Sequence, residues 1–198
     1  DGGAGNTYVV YVTISDGTNT GSMVQYTISV TDKSEFTIGA TTDSNTASNT
    51  VSEGASDNAE VGITATATDD DDGDSVTYTM QTTTASCDGW FDIGSSDGIV
   101  RVDGSSELDY ETVTACVISV TSTSTDTSTS TEDFTITLTD VNEHAVTSPT
   151  DTDTDENTLA ENVANGASAE ITASASDSDG TDNTVTYGIA SQTCTGAF

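Results

Sequence analysis

The chain contains a long internal match at a fixed distance. Tyr26-Thr27-Ile28-Ser29-Val30-Thr31-Asp32-Lys33-Ser34-Glu35 returns as Phe134-Thr135-Ile136-Thr137-Leu138-Thr139-Asp140-Val141-Asn142-Glu143, a shift in numbering of 108 (134 less 26). Self-similarity at a fixed period marks an array of modules, each a unit of supersecondary structure stacked on the next. A chain of 198 residues then holds about two modules' worth of sequence, each large enough to bury a small core of its own. The phase divides it into 1–32, the closing strands of one module; 33–143, a complete module; and 144–198, the opening of another. A half-module ending at Phe198 cannot cover its own apolar face. The expectation is a segment of a longer array, or an assembly whose neighbour completes it.

Within each module the short apolar runs read as strands. Tyr8 to Ile14, Val24 to Val30, Val61 to Ala67, Val76 to Met80, Ala115 to Val120 and Phe134 to Leu138 are rich in β-branched and aromatic residues, which suit a pleated, half-buried surface. Turn-formers such as Ser15-Asp16-Gly17-Thr18-Asn19 and Ser95-Ser96-Asp97-Gly98 separate them. No helical periodicity of useful length interrupts this pattern. About seven short strands per module predict an all-β chain of tandem Greek-key β-sandwiches. Thr121 to Thr131 reads as an exposed Ser/Thr loop, with an O-glycosylated patch as the alternative. Trp90, beside Phe91, is expected in the core, and Arg101 is expected to pair with a nearby acid.

Thirty-four acids against two bases, Lys33 and Arg101, give a formal charge of −32. Such a chain repels nucleic acid and anionic membrane, and neither is a partner. Disorder is one reading of strong acidity, but apolar alternation in every module argues against it. Solubility in high salt is another, and it is compatible with cation binding. No run of about 18 apolar residues is present, so no membrane insertion is expected in this segment. Cys87 and Cys194 occupy matching places at a shift of 107 (194 less 87), and Cys116 follows Cys87 by 29. A Cys87–Cys116 disulfide is expected, with two buried thiols as the alternative. Cys194 would then find its counterpart past Phe198. A disulfide places the chain in an oxidising, extracellular setting.

The acids fall at set places. Glu53 is matched by Glu161 one period on; Asp69 and Asp71 in Ala67-Thr68-Asp69-Asp70-Asp71-Asp72-Gly73-Asp74-Ser75 are matched by Asp177 and Asp179 in Ala175-Ser176-Asp177-Ser178-Asp179-Gly180-Thr181-Asp182-Asn183. Leu108-Asp109-Tyr110-Glu111 occurs once, and Asp140-Val141-Asn142-Glu143-His144 closes the complete module. In extended backbone, residues i and i+2 point to one side, so Asp-x-Asp and Asp-x-Glu aim two carboxylates at one place. Without a cation they repel. Ca2+ accepts six to eight oxygens in flexible geometry and suits carboxylates gathered from several loops.

At these residues the chain resembles the cadherin repeat: an early Glu, Ala-x-Asp-x-Asp-x-Gly-x-Asn, Leu-Asp-Arg-Glu, and Asp-x-Asn-Asp-Asn at the linker. Phe91-Asp92-Ile93 and Gly98-Ile99-Val100 match a further Phe-x-Ile and Gly-x-Ile pair. The resemblance covers 33–143 and, more loosely, both flanks. It implies a Greek-key sandwich with up to three calcium ions at each linker. At the second linker it implies Glu53, Asp109, Glu111 and Glu143 around the ions nearer the complete module. Asn142, Asp177 and Asp179 hold the next, with Val141, His144 and Asn183 offering backbone carbonyls. Tyr110 replaces the family's Arg and Glu143 its Asp. At the first linker Glu35, Asp69 and Asp71 remain. Ser34 replaces the Asn ligand, Ser75 stands at the Asn183 position, and Ser124, one period after Asp16, stands at a family Asp on a later strand. Fewer or weaker ions are expected there.

Catalysis by a carboxylate pair, as in glycoside hydrolysis, is the competing class. One histidine cannot build the usual constellations, and no nucleophile–base pair or phosphate loop accompanies the acids, so the chain is not read as an enzyme. The reading is a calcium-stiffened extracellular rod of a cell-surface adhesion protein. Its partners are neighbouring repeats or copies of itself, and other cell-surface proteins or glycans. The alternative is a structural subunit of an extracellular filament or appendage built from the same modules.

Overall fold

The computed structural model describes residues 7–31, 33–104 and 107–193. Strand follows strand: β1 (Thr7–Val12), β2 (Val24–Ser29), β3 (Thr42–Asp43), β4 (Thr50–Ser52), β5 (Glu60–Thr66), β6 (Val76–Thr82), β7 (Phe91–Ile93), β8 (Ile99–Val102), β9 (Ala115–Ser124), β10 (Thr129–Thr139), β11 (Thr150–Asp151) and β12 (Ala173–Ser174). The one helical element among the described residues is a short 3₁₀ turn, Ala85–Cys87. No helix of the described residues is long and apolar enough to cross a membrane. The chain divides into two compact units, Asp1–Leu138 and Thr139–Phe198.

In the first unit, eight strands form two four-stranded sheets, ordered β4-β10-β9-β6 and β3-β5-β8-β7. Their inner faces share one core, which includes Val61, Ile63, Val100, Ile118, Val120 and Ile136, each fully buried. Burying a side chain of this size contributes roughly 1.5–3 kcal/mol, so these positions hold the sandwich together. Trp90 and Phe91 lie in this core as expected. Cys87 and Cys116 are disulfide-bonded with Cα atoms 6.0 Å apart, tying the 3₁₀ turn to β9; Cys194 lies outside the described residues. Arg101 pairs with Asp97 at 3.0 Å and Glu60 at 3.9 Å. The unit also contains the β1–β2 antiparallel hairpin, in register Thr7↔Ser29 to Val12↔Val24, with every residue exposed.

Thr121 to Thr131 is not a loop. β9 and β10 stay paired through Thr121↔Thr131 and Thr123↔Thr129, and only residues 125–128 turn between them. Alternation explains this: β-branched Thr suits the outward positions, while Ser122 and Ser124 point inward and are buried at 0 % and 3 % exposure. Their neighbour Thr41, equally buried, donates its hydroxyl to Ser122 Oγ at 2.8 Å and to the Ser130 carbonyl at 2.9 Å. Backbone N–H groups of Ile38 and Thr41 donate to Ser128 Oγ and Ser130 Oγ, both at 2.9 Å. Hydroxyls therefore fasten the first segment of the sandwich to β10, where apolar side chains would otherwise pack.

In the second unit, β11 pairs with β12 as Thr150↔Ser174 and Asp151↔Ala173. This is the β3–β5 register, Thr42↔Thr66 and Asp43↔Ala65, moved by one period. The supporting bonds move with it. Asp43 Oδ1 accepts from Asn45 N and Thr64 N, and Asp151 Oδ1 accepts from Asp153 N and Thr172 N. The N–H of Thr172, above all, holds the Asp151 carboxyl below its ordinary pKa.

Candidate metal centre

In the first unit the Asp-x-Asp run sits just after β5 and folds over the segment that leads into β3. Asp71, 7 % exposed, receives the backbone N–H of Glu35 at 3.1 and 3.2 Å and that of Phe36 at 2.9 Å. Asp71 N in turn donates to Asp69 Oδ1 at 3.2 Å. The second oxygen of Asp69 is buried with no hydrogen-bond partner among the described residues. A buried carboxylate oxygen that has lost water and gained no donor is costly, and a hard cation is the chemistry that satisfies it.

Two further acids approach Asp69, and neither belongs to the set expected from sequence. Asp69, Asp74 and Asp126 each offer a carboxylate oxygen, all within 4.8 Å of one another. Asp126 sits in the β9–β10 turn, where its Oδ1 accepts from Ser128 N at 2.8 Å and its Oδ2 from Ser34 Oγ at 2.9 Å. The hydroxyl and N–H of Ser128, followed by the Ser34 hydroxyl, hold its carboxyl below the ordinary value. Asp74 moves the other way: burial first, then the charges of Asp69 and Asp126, raise it, against the Ser124 hydroxyl.

The position assigned to Ser124 by the constant period needs correcting. Asp16 Oδ1 accepts from the N–H two residues on, Thr18, at 2.9 Å, and Asp126 does the same with Ser128. Asp126 is therefore the turn carboxylate, at a shift of 110 (126 less 16), because pairing runs further along the β9–β10 hairpin than along β1–β2. A sequence signal existed in Asp126 itself, the sole acid of the Ser/Thr run. The signal for Asp74 was weaker, since it closes a crowded acidic run that begins at Asp69.

Glu53 and Asp109 each organise backbone elsewhere in the same unit. Glu53 follows β4, and its Oε2 receives Tyr110 N at 2.6 Å. Asp109 takes the N–H and hydroxyl of Thr112, both at 2.8 Å, which fixes the turn carrying Glu111. Glu111 is exposed.

In the second unit the pattern of Asp71 recurs. Asp179, 2 % exposed, accepts from His144 N at 3.1 Å, and its own N–H donates to Asp177 Oδ1 at 3.2 Å. Among the described residues, its Oδ1 and the Oδ1 of Asp140 are buried without a hydrogen-bond partner, while the other oxygen of Asp140 accepts from the Thr181 hydroxyl. Asp140 opens the closing motif, yet the sequence does not single it out as a ligand. Glu143 lies 3.1 Å from His144 Nδ1, and both are exposed. Val141, Asn142 and Asn183 are exposed as well. A separate group, Asp153, Asp155 and Glu170, also brings ligand atoms within 4.8 Å. No motif marks it in the sequence, and its counterparts one period earlier are Asn45, Ala47 and Gly62.

The arrangement of strands is found in known structures. The chain is similar to protocadherin gamma B2 extracellular cadherin domains 1–5 (TM-score 0.54, 20 % identity, 88 % of this chain and 32 % of that one). It is also similar to Drosophila N-cadherin EC1-4 (0.51, 21 %, 89 % and 42 %) and to protocadherin gamma B7 extracellular cadherin domains 1–4 (0.56, 20 %, 87 % and 41 %). The fold is cadherin-like. The chain spans between about a third and a half of the length of the structures it matches. No family model matches the sequence, and no curated protein does. At such identities the likeness concerns the cadherin fold, and the ligand chemistry must be argued from this chain's own carboxylates.

Proposed function

We propose that this chain is a stretch of a calcium-stiffened extracellular rod, built from tandem cadherin-like repeats and belonging to a cell-surface adhesion protein. Residues 33–143 form the complete repeat, 1–32 the end of the preceding one and 144–198 the start of the next. The observation that carries the reading is Asp179: a side chain 2 % exposed that keeps one carboxylate oxygen without a donor among the described residues. A structural aspartate held only for its hydrogen bonds has no use for such an atom. A cation ligand does.

On this reading Glu53, Asp109, Glu111, Asp140 and Glu143 serve the ions on the side of the complete repeat. Asn142, Asp177 and Asp179, with the carbonyls of Val141, His144 and Asn183, serve the ion beyond. Glu35, Asp69 and Asp71 serve the preceding linker. Bound calcium supplies the charge that offsets carboxylate repulsion, so adjacent repeats resist bending and proteolysis. Partners are neighbouring repeats, further copies of the chain, and other surface proteins or glycans. Catalysis plays no part. The disulfide and the cadherin-like fold support an extracellular location.

Chelation should lower the melting temperature and raise the radius of gyration in solution scattering. Asp109→Asn with Glu111→Gln should reduce the calcium stoichiometry seen by calorimetry. Scattering and melting that do not respond to chelator, together with full stoichiometry in the double variant, would sink the reading.

A further inference from the structure

We propose that Asn165 is a site of spontaneous covalent modification: the Gly166 backbone nitrogen closes on the Asn165 side chain, expels ammonia and leaves aspartate or isoaspartate behind. Residues 164–167 make a turn closed by one hydrogen bond, from Ala167 N–H to the Ala164 carbonyl at 3.2 Å. Gly166 has φ +84° while Asn165 keeps a negative φ, the pattern of a type II turn with glycine at its third position. The closing bond spans the Asn165–Gly166 peptide without using it. Among the described residues, the Gly166 N–H, the Asn165 carbonyl and the Asn165 side-chain amide have no hydrogen-bond partner. Both residues are exposed, and space is open where a Cβ of residue 166 would stand. This peptide can therefore rotate about the Asn165 ψ and the Gly166 φ without breaking a bond, and no side chain on residue 166 blocks the approach.

Other asparagines lack this combination. Asn165 alone is followed by glycine in the sequence. Asn58, Asn157 and Asn162 precede Ala59, Thr158 and Val163, whose N–H groups are already donated to the carbonyls of Ser56, Glu156 and Ala160. Residues 56–59 are the same turn one period earlier, closed by Ala59 N–H to the Ser56 carbonyl at 3.1 Å, with φ +64° at Asn58. Asp57 holds the Asn165 place there, and its Oδ1 accepts the Gly104 N–H at 3.0 Å. The complete module thus already carries at this turn the carboxylate that the reaction creates at residue 165.

The step needs no redox partner. The Gly166 nitrogen gives up its proton and bonds to Asn165 Cγ, and the Cγ–Nδ2 bond breaks as that nitrogen takes up a proton and leaves as ammonia. Water then opens the cyclic imide. Opening at Cγ gives aspartate; opening at the main-chain carbonyl gives isoaspartate, whose backbone runs through the side chain and is longer by a methylene. Either product adds a negative charge.

The purified chain, aged in warm and mildly alkaline buffer, should shift to a more acidic species on ion exchange, and faster as pH rises, because the attacking nitrogen must be deprotonated. Peptide mass spectrometry should place the exchange of –NH2 for –OH at Asn165 before Asn157 or Asn162, and an isoaspartyl methyltransferase should label aged protein but not fresh. Asn165→Gln, which must close a larger ring, should lose both signals with an unchanged circular dichroism spectrum. An aged chain with Asn165 intact, or converted no faster than Asn162, would overturn the proposal. So would undiminished methyl labelling in Asn165→Gln.

Discussion

Gly98 shows how a single residue sets the sandwich. Its φ is +66°, and a Cβ placed there would collide with the Ala65 carbonyl, so a side chain meets both backbone strain and a clash with an immobile strand. Gly98→Ala should cost about 1–3 kcal/mol. Urea denaturation should show a lower midpoint at an unchanged m-value, and a loss within about 0.5 kcal/mol, the ordinary range for surface substitutions, would contradict the argument. Gly98 was legible in the sequence through Gly98-Ile99-Val100, because a turn glycine between two strands is a local signal. Asp126 was not, because assigning it required knowing that pairing continues along β9 and β10, a non-local fact that a constant period conceals. Asp74 was missed for a different reason: in an acidic run every position looks alike, and burial alone separates Asp74 from its exposed neighbours Asp70 and Asp72.

At the scale of elements, the strands of the core were readable from apolar alternation: β6 and β10 include the stretches expected of them, and β5 includes all of its own but Ala67. Ser and Thr were the weak point. Low complexity suggests a loop, yet β9 alternates buried and half-exposed residues over its full length, with Ser122 and Ser124 continuing the inward row of Cys116, Ile118 and Val120. Buried serines are tolerated there because partners reach them. Ser122→Ala removes the acceptor of the 2.8 Å bond from Thr41 and should destabilise the protein by about 1 kcal/mol. Hydrogen exchange provides a sharper readout: the amides of Ile38 and Thr41, bound to Ser128 and Ser130, should lose protection before those of β9. Uniform loss across both sheets would show that the hydroxyl network does not hold that segment separately.

At the scale of the whole chain, charge dominates, with a formal −32 on 198 residues. Self-repulsion destabilises any compact state of such a chain, and monovalent salt screens it over a Debye length that shortens from about 8 Å at about 0.15 M to about 3 Å at about 1 M. In chelator, the melting temperature should rise steadily with sodium chloride. With calcium present the same titration should have a much smaller effect, because specific ions already offset the most crowded carboxylates. Equal salt dependence in both conditions would favour general high-salt adaptation. The repeat was legible at this scale from one self-match, and the bonds of Asp43 and Asp151 follow the same spacing. The identity of the ligand atoms was not, since it depends on which oxygens are left without donors.

Asp71 grips the N–H groups of Glu35 and Phe36, and Asp179 grips that of His144; each clasp is made wholly inside its own unit. A block of sequence copied or deleted at the module boundary would carry its clasp with it and ask nothing new of the strands it joins. Unequal recombination between copies could therefore lengthen or shorten such a protein while leaving every surviving unit ready to fold.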